Sequence, residues 1–173
     1  MNARTFREGI LVGLLGAAII AAWFFVVDAV AGRPFFTPAM LGSAFFWGLR
    51  DPLQVQITMQ TVLAYSMAHV LALVLVGLIA SAVASQVERT PSTLFLATVL
   101  FAAFEFGFYI VVAVLGQPLL GALAWWSVAA SNAVAAAGMG YALWRLRPNL
   151  RARLAKQPLG VPVDESSDTY RKL

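Results

Sequence analysis

The chain has no cysteine, a single histidine and few charges. Without cysteine there is no disulfide, no thiolate nucleophile, no iron–sulfur cluster and no cysteine-based zinc site. Cysteine usage therefore gives no redox compartment. Charged residues make up 12% of the 173, where a soluble domain has about a quarter. Hydrophobic residues make up 61% and mean hydropathy is +0.80. Such a chain suits one small membrane domain rather than water. A phosphate-cradling GxxxxGK[ST] loop, a dinucleotide-binding GxGxxG, an HExxH and a GxSxG are all missing too. Whether the chain is an enzyme is left open by this, leaning to no, and no cofactor is expected. The net charge is +4, but the basic residues gather at the chain ends. That pattern marks membrane topology and gives no support to a nucleic-acid partner.

What is present is a series of apolar runs. Residues 1–9 are polar, with Arg4 and Arg7, and Ile10 to Val27 follow without a charge. Eighteen such residues are a transmembrane helix candidate. A signal peptide is the rival, because Ala29-Val30-Ala31 resembles a cleavage site. Against it, the apolar run exceeds the usual ~7–15 residues, and Asp28 sits just before that site. Gly9, Gly13, Ala17 and Ala21 recur at every fourth position, a small-xxx-small face that permits close helix–helix contact. Asp28 extends that face, as a cap or an interfacial residue on the simplest reading.

The second run lies in Asp51–Arg89 and contains His69. Asp51 suits a helix cap and Pro52 a first helical position. From Pro52 to Glu88 there is no further proline, and Gly77 is the only glycine. At ~1.5 Å per residue such a helix outruns a ~30 Å hydrocarbon core, so Leu53 to Gln60 should project into water. Residues there alternate polar and apolar, which is a strand signal, but nothing nearby offers a partner strand. Thr58, Thr61, Tyr65, His69, Ala72, Val76 and Ala80 form one stripe at helical spacing, with Leu and Val opposite. Thr93 to Leu115, with Glu105 near its middle, is the third run, and Leu119 to Trp144 the fourth. Between the first two runs, Thr37-Pro38 signals a helix start. Pro38 to Leu49 is too short to span. Its aromatic residues suggest an interfacial or re-entrant helix, either a brace over the bundle or a lid.

The expected fold is all-α: a polytopic membrane protein of four transmembrane helices, with that short helix between spans one and two. Residues 1–147 form the four-helix domain. Residues 148–173 form a tail, basic and then disordered. With both termini cytoplasmic, the inside holds Arg4, Arg7, Arg89 and the cluster from Arg145 to Lys156, and the outside only Arg33 and Arg50. That satisfies the positive-inside rule for a multi-pass protein of the inner (plasma) membrane. The basic run after Trp144 reads as an anchor at anionic headgroups, or else as a docking site.

Ionisable residues inside spans are costly and are candidates for function by default. His69 and Glu105 lie at similar depth on antiparallel neighbouring spans. Tyr65 and Tyr109 each lie one turn outward. Asn132 is expected to join this polar cluster from span four, with Ser131 beside it, and Asp28 to border it from span one. One reading is proton transfer or cation binding; the other is a hydrogen-bonded pair that holds two helices together. A metal held by His69, Glu105 and Asp28 would have nitrogen and oxygen ligands only, and none is expected. One histidine does not ligate a haem from both sides within one chain.

Asp28 with Gly32-Arg33-Pro34, Thr37-Pro38, and Tyr65 with His69 resemble bacterial four-span inner-membrane proteins of uncharacterised role. The resemblance covers about residues 9–80 and implies an architecture without an activity. The leading functional expectation is an accessory or structural subunit in the lipid bilayer, or a self-associating protein using the Gly9–Ala21 face. The alternatives are a small transporter or channel using His69 and Glu105, and a membrane cofactor or metal-binding enzyme.

Overall fold

The structure is a computed structural model and describes residues 2–90, 93, 95, 98–99 and 125–156. Among these every regular element is helical, and no strand occurs. Most of the third run, with Glu105 and Tyr109, and residues 157–173 lie outside the described residues.

Helix α1 spans Ala3–Val30 and starts where Asn2 Oδ1 accepts a hydrogen bond from the Thr5 amide at 2.8 Å. It stops at a turn in which Gly32 has φ +72° and the Arg33 amide donates to the Asp28 carbonyl. Helix α2, Phe36–Trp47, follows at once and ends on Gly48 at φ +68°. There the Gly48 and Leu49 amides return to the carbonyls of Ala44 and Ser43, a glycine stop of the usual kind.

The long helix begins later than the sequence suggests. Asp51 caps only one 3₁₀ turn, Pro52–Gln54, by accepting from the Leu53 amide at 2.9 Å. Val55 to Ile57 then run without helix. Helix α3 spans Met59–Arg89, opened by a capping box in which the Thr58 and Thr61 side chains each accept from the other's backbone amide. Two threonines three apart satisfy the free amides of a helix start better than Gln56 or Ile57 can. The polar–apolar alternation therefore marks an extended connector and not the projecting end of a helix. Helix α4, Trp125–Leu146, and helix α5, Pro148–Lys156, complete the described chain. Pro148 takes the first position of α5, where its missing N–H costs nothing.

Helices α1 and α3 are long and apolar enough to cross a membrane. They run antiparallel, with α1 between α3 on one side and α4 on another. Glycine sets the approach of α1 to α3. A side chain at Gly13 would meet the Leu73 carbonyl oxygen and Val74 Cα at 2.5 Å, and one at Gly77 would strike the Gly9 carbonyl and the Gly13 backbone. The two backbones therefore touch, the geometry that small residues permit within a bilayer. From there the buried face of α3 runs through Gly77, Ser81, Ala84 and Val87. Ala72 is exposed and Leu73 partly buried in its place, so the stripe expected from the sequence is displaced by one residue midway. Leu71, Leu75 and Ile79 point outward, as a lipid-facing side requires.

Helix α4 meets α1 less tightly. Met139 packs on Gly16, Gly138 faces Ile19, and Trp23 Nε1 donates to Ser127 Oγ at 2.8 Å. Helix α2 lies across the start of α3, with Gly42 against the Thr61 carbonyl and Ala39 and Met40 fully buried. Helix α5 turns back so that Leu150 joins Val12, Ala84, Val87, Met139 and Leu143 in the core.

This packing predicts that Gly13→Leu and Gly77→Leu destabilise the protein by about 1–3 kcal/mol or more, while Leu11→Phe, on an exposed face of α1, changes little. Unfolding of the purified variants in mixed micelles measures the difference.

Candidate functional site

Polar side chains gather at the two ends of the α1–α3 pair. At the α2 end they border a cleft of about 290 Å³ between α1, α2 and α3. Asp28, Thr37, Tyr65, Ser66 and His69 supply its polar groups, and Phe24, Phe25 and Phe35 much of its apolar wall. Asp28 is 3% exposed. Its Oδ2 accepts from the Thr37 amide and its Oδ1 from Thr37 Oγ1, both at 2.7 Å. Thr37 lies in the first turn of α2, where free amides and the helix dipole favour a carboxylate. Asp28, near the end of α1, thus caps the next helix and fixes the turn between them.

His69 lies one turn from Tyr65 on α3. Their rings stack at 5.7 Å between centroids and 19° between planes. The imidazole faces the backbone of Ala17 in α1. Among the described residues His69 Nε2 is buried and has no hydrogen-bond partner. The Asp28, Tyr65 and His69 of the expected cluster therefore meet around one cleft. Asn132 is half-buried on α4 and is not part of the lining. Glu105 and Tyr109 lie outside the described residues, so the expected His69–Glu105 contact has no geometry here. Gly9, Gly13 and Ala17 are buried within the chain, Gly9 and Gly13 against α3, and Ala21 is exposed at the cleft. Among the described residues, no three His, Asp or Glu side chains group as a metal site would require.

At the opposite end lies a network that the sequence reading did not find. Arg147, between α4 and α5, is 3% exposed. Its Nη2 is 2.6 Å from Glu8 Oε2 of α1, and its Nη1 donates to Glu88 Oε2 of α3 at 3.1 Å. Nη2 also donates to Ser81 Oγ at 3.1 Å, and Ser81 Oγ donates in turn to the Thr5 carbonyl at 2.9 Å. Arg4 completes the end. Its Nε pairs with Glu8 Oε1 at 2.7 Å, and its Nη2 donates to the Leu146 carbonyl at 2.8 Å, closing the last turn of α4. One planar guanidinium with five donors reaches two carboxylates and the hydroxyls of Ser81 and Thr5, a reach that a lysine ammonium lacks.

Arg147 therefore does not anchor at headgroups with its basic neighbours; it is an internal tie between α1, α3 and the α4–α5 joint. One sequence signal was present: Arg4 and Glu8 stand four residues apart, the spacing of a helical ion pair. Nothing in the sequence marks Arg147 apart from Arg145 or Arg151.

Removing one partner of a buried ion pair leaves the other charge stranded, which typically costs about 3–5 kcal/mol. Arg147→Met is expected to lose stability on that scale, and Glu8→Gln with Glu88→Gln in the same chain to recover part of it. Asp28→Ala is expected to cost about 1–2 kcal/mol as a lost cap, with Asp28→Asn costing less. Equilibrium unfolding in micelles checks both series. Comparison with protein-family models, with curated proteins and with solved structures finds no match for this chain.

Proposed function

We propose that this chain is a four-span inner-membrane protein, with both termini cytoplasmic, that serves as an accessory or structural subunit and catalyses no reaction of its own. The observation that carries the reading is the use made of its carboxylates. Among the described residues each buried or half-buried carboxylate in a long helix holds two elements together. Glu8 and Glu88 hold Arg147, and Asp28 holds the first turn of α2. Polar groups committed to helix contacts rigidify a bundle and leave no free carboxylate there for general acid–base work.

Chain direction supports four crossings. Helix α3 ends at Arg89, beside the Glu88–Arg147 pair. Helix α4 begins at Trp125, and its first turn meets the far half of α1 where Ser127 accepts from Trp23. Arg89 and Trp125 therefore lie toward opposite ends of the bundle, which supports one further crossing between them. The apolar run from Thr93 to Leu115 is long enough for it at ~1.5 Å per residue.

A transporter or channel using His69 is the second reading, favoured by the unpartnered Nε2. The backbone contact at Gly9, Gly13 and Gly77 weighs against it, because it leaves no passage between α1 and α3 in that half. Self-association would have to use a surface other than the one that Gly9 and Gly13 give to α3. Oligomerisation or binding of a membrane partner is the expected behaviour.

Reporter fusions after Leu49 and after Trp144 are expected to lie on opposite sides of the membrane; the same side for both would contradict four spans. Photo-crosslinking in native membranes from Tyr141 or Trp144, which are exposed on α4, is expected to give a discrete adduct. A chain that stays uncrosslinked and carries protons across liposomes would replace the subunit reading with the transporter.

A further inference from the structure

We propose that the cleft between α1, α2 and α3 binds a membrane-dissolved amphipath with an uncharged oxygen-bearing ring as its head, of the quinone or quinol class. The inference stands apart from the subunit reading and rests on the chemistry of the lining.

His69 Nε2 is the anchor. Among the described residues it is buried with no hydrogen-bond partner, and a buried polar atom left so is costly in hydrocarbon. An occupant that is hydrocarbon throughout would leave that cost in place, so the occupant brings a hydrogen-bonding atom. Tyr65 and Ser66, about one turn from His69 on α3, offer hydroxyls in the same lining. A few polar groups in an otherwise apolar wall is the usual make-up of a small-molecule site.

Charge narrows the head. Among the described residues the lining holds no lysine or arginine, and it does hold Asp28. Both Asp28 oxygens already accept hydrogen bonds from Thr37. A phosphate or carboxylate head would meet that carboxylate with no cation to offset it, which excludes phospholipid heads and fatty acids. A neutral head meets no such penalty.

Shape narrows it further. The wall presents aromatic rings: Tyr65 and His69 stacked on α3, and Phe25 and Phe35 tilted 53° apart at 5.2 Å, with Phe24 beside them. Faces and edges of this kind accept a flat ring by offset stacking. About 290 Å³ is at the small end of ligand pockets, room for a ring head with its tail left among lipid. Ala18 and Ala21 on α1 are exposed along the lining, so the cleft has an entrance.

The test titrates the full-length protein in nanodiscs of zwitterionic lipid with a decyl-substituted benzoquinone, read by calorimetry. Decanol and decanoate are the comparison probes. Saturable binding of the quinone is expected, weakened roughly tenfold by His69→Leu, the factor that one hydrogen bond of about 1.4 kcal/mol carries. Ala21→Trp fills the cleft from its edge and removes no polar group; it is expected to abolish binding while the melting temperature stays within a few degrees of the parent. Decanol and decanoate are expected to bind at least tenfold more weakly. No saturable binding, or binding that Ala21→Trp leaves intact, would overturn the proposal. Equal affinity for decanol would overturn the ring head, and equal affinity for decanoate the neutral one.

Discussion

The structure depends on one contact between backbones. Gly9 and Gly13 of α1 lie directly against Gly77 and the Leu73–Val74 peptide of α3. No side chain separates the two helices there, so their register is set by where glycine occurs. That register decides what else meets. Toward the chain's first residues it brings Thr5 to Ser81, with Glu8 and Glu88 close enough to share Arg147. Toward α2 it brings Ala17 to His69. A slip of one helical turn, ~5.4 Å, would break every one of these pairs.

The two ends of the bundle then solve different problems. At the Arg147 end three helices carry charge close to an apolar core. A single buried guanidinium needs several acceptors at once, and Glu8, Glu88 and Ser81 provide them to its two Nη groups from two helices. The last carbonyl of α4 meets Arg4 from α1, a cation where the helix dipole favours one. At the α2 end the demand is to reverse the chain within a few residues. Asp28 does so by capping α2 with both oxygens, which also keeps the floor of the cleft in place. His69 is the one titratable group there that the described packing leaves without a partner for a buried ring nitrogen.

Much of the helical layout was legible. The four-residue spacing of Gly9, Gly13 and Ala17 marks the buried face of α1, and Thr37-Pro38 marks the start of α2, because small side chains and proline act locally. The start of α3 differs from the one the sequence favours, because Asp51-Pro52 and Thr58 are both plausible starts and only hydrogen bonding separates them. The polar groups show the same divide. His69 is conspicuous as the lone histidine in an apolar run. Arg147 is inconspicuous, because basic residues after a span look alike until Pro148 turns the chain and directs one of them inward. Asp28 reads from the sequence as a cap or interfacial residue, but its partner, Thr37, lies across a turn that hydropathy does not encode. The place of Glu105 beside His69 is an expectation on residues outside those described.

The register of α1 on α3 is the central claim, and the absence of native cysteine makes it directly measurable. In the double variant Thr5→Cys with Ser81→Cys, two adjoining positions are expected to form a disulfide in membranes within minutes of mild oxidation. The double variant Leu11→Cys with Leu71→Cys, both exposed, is expected to remain reduced. Crosslinking of the second pair in preference to the first would contradict the account.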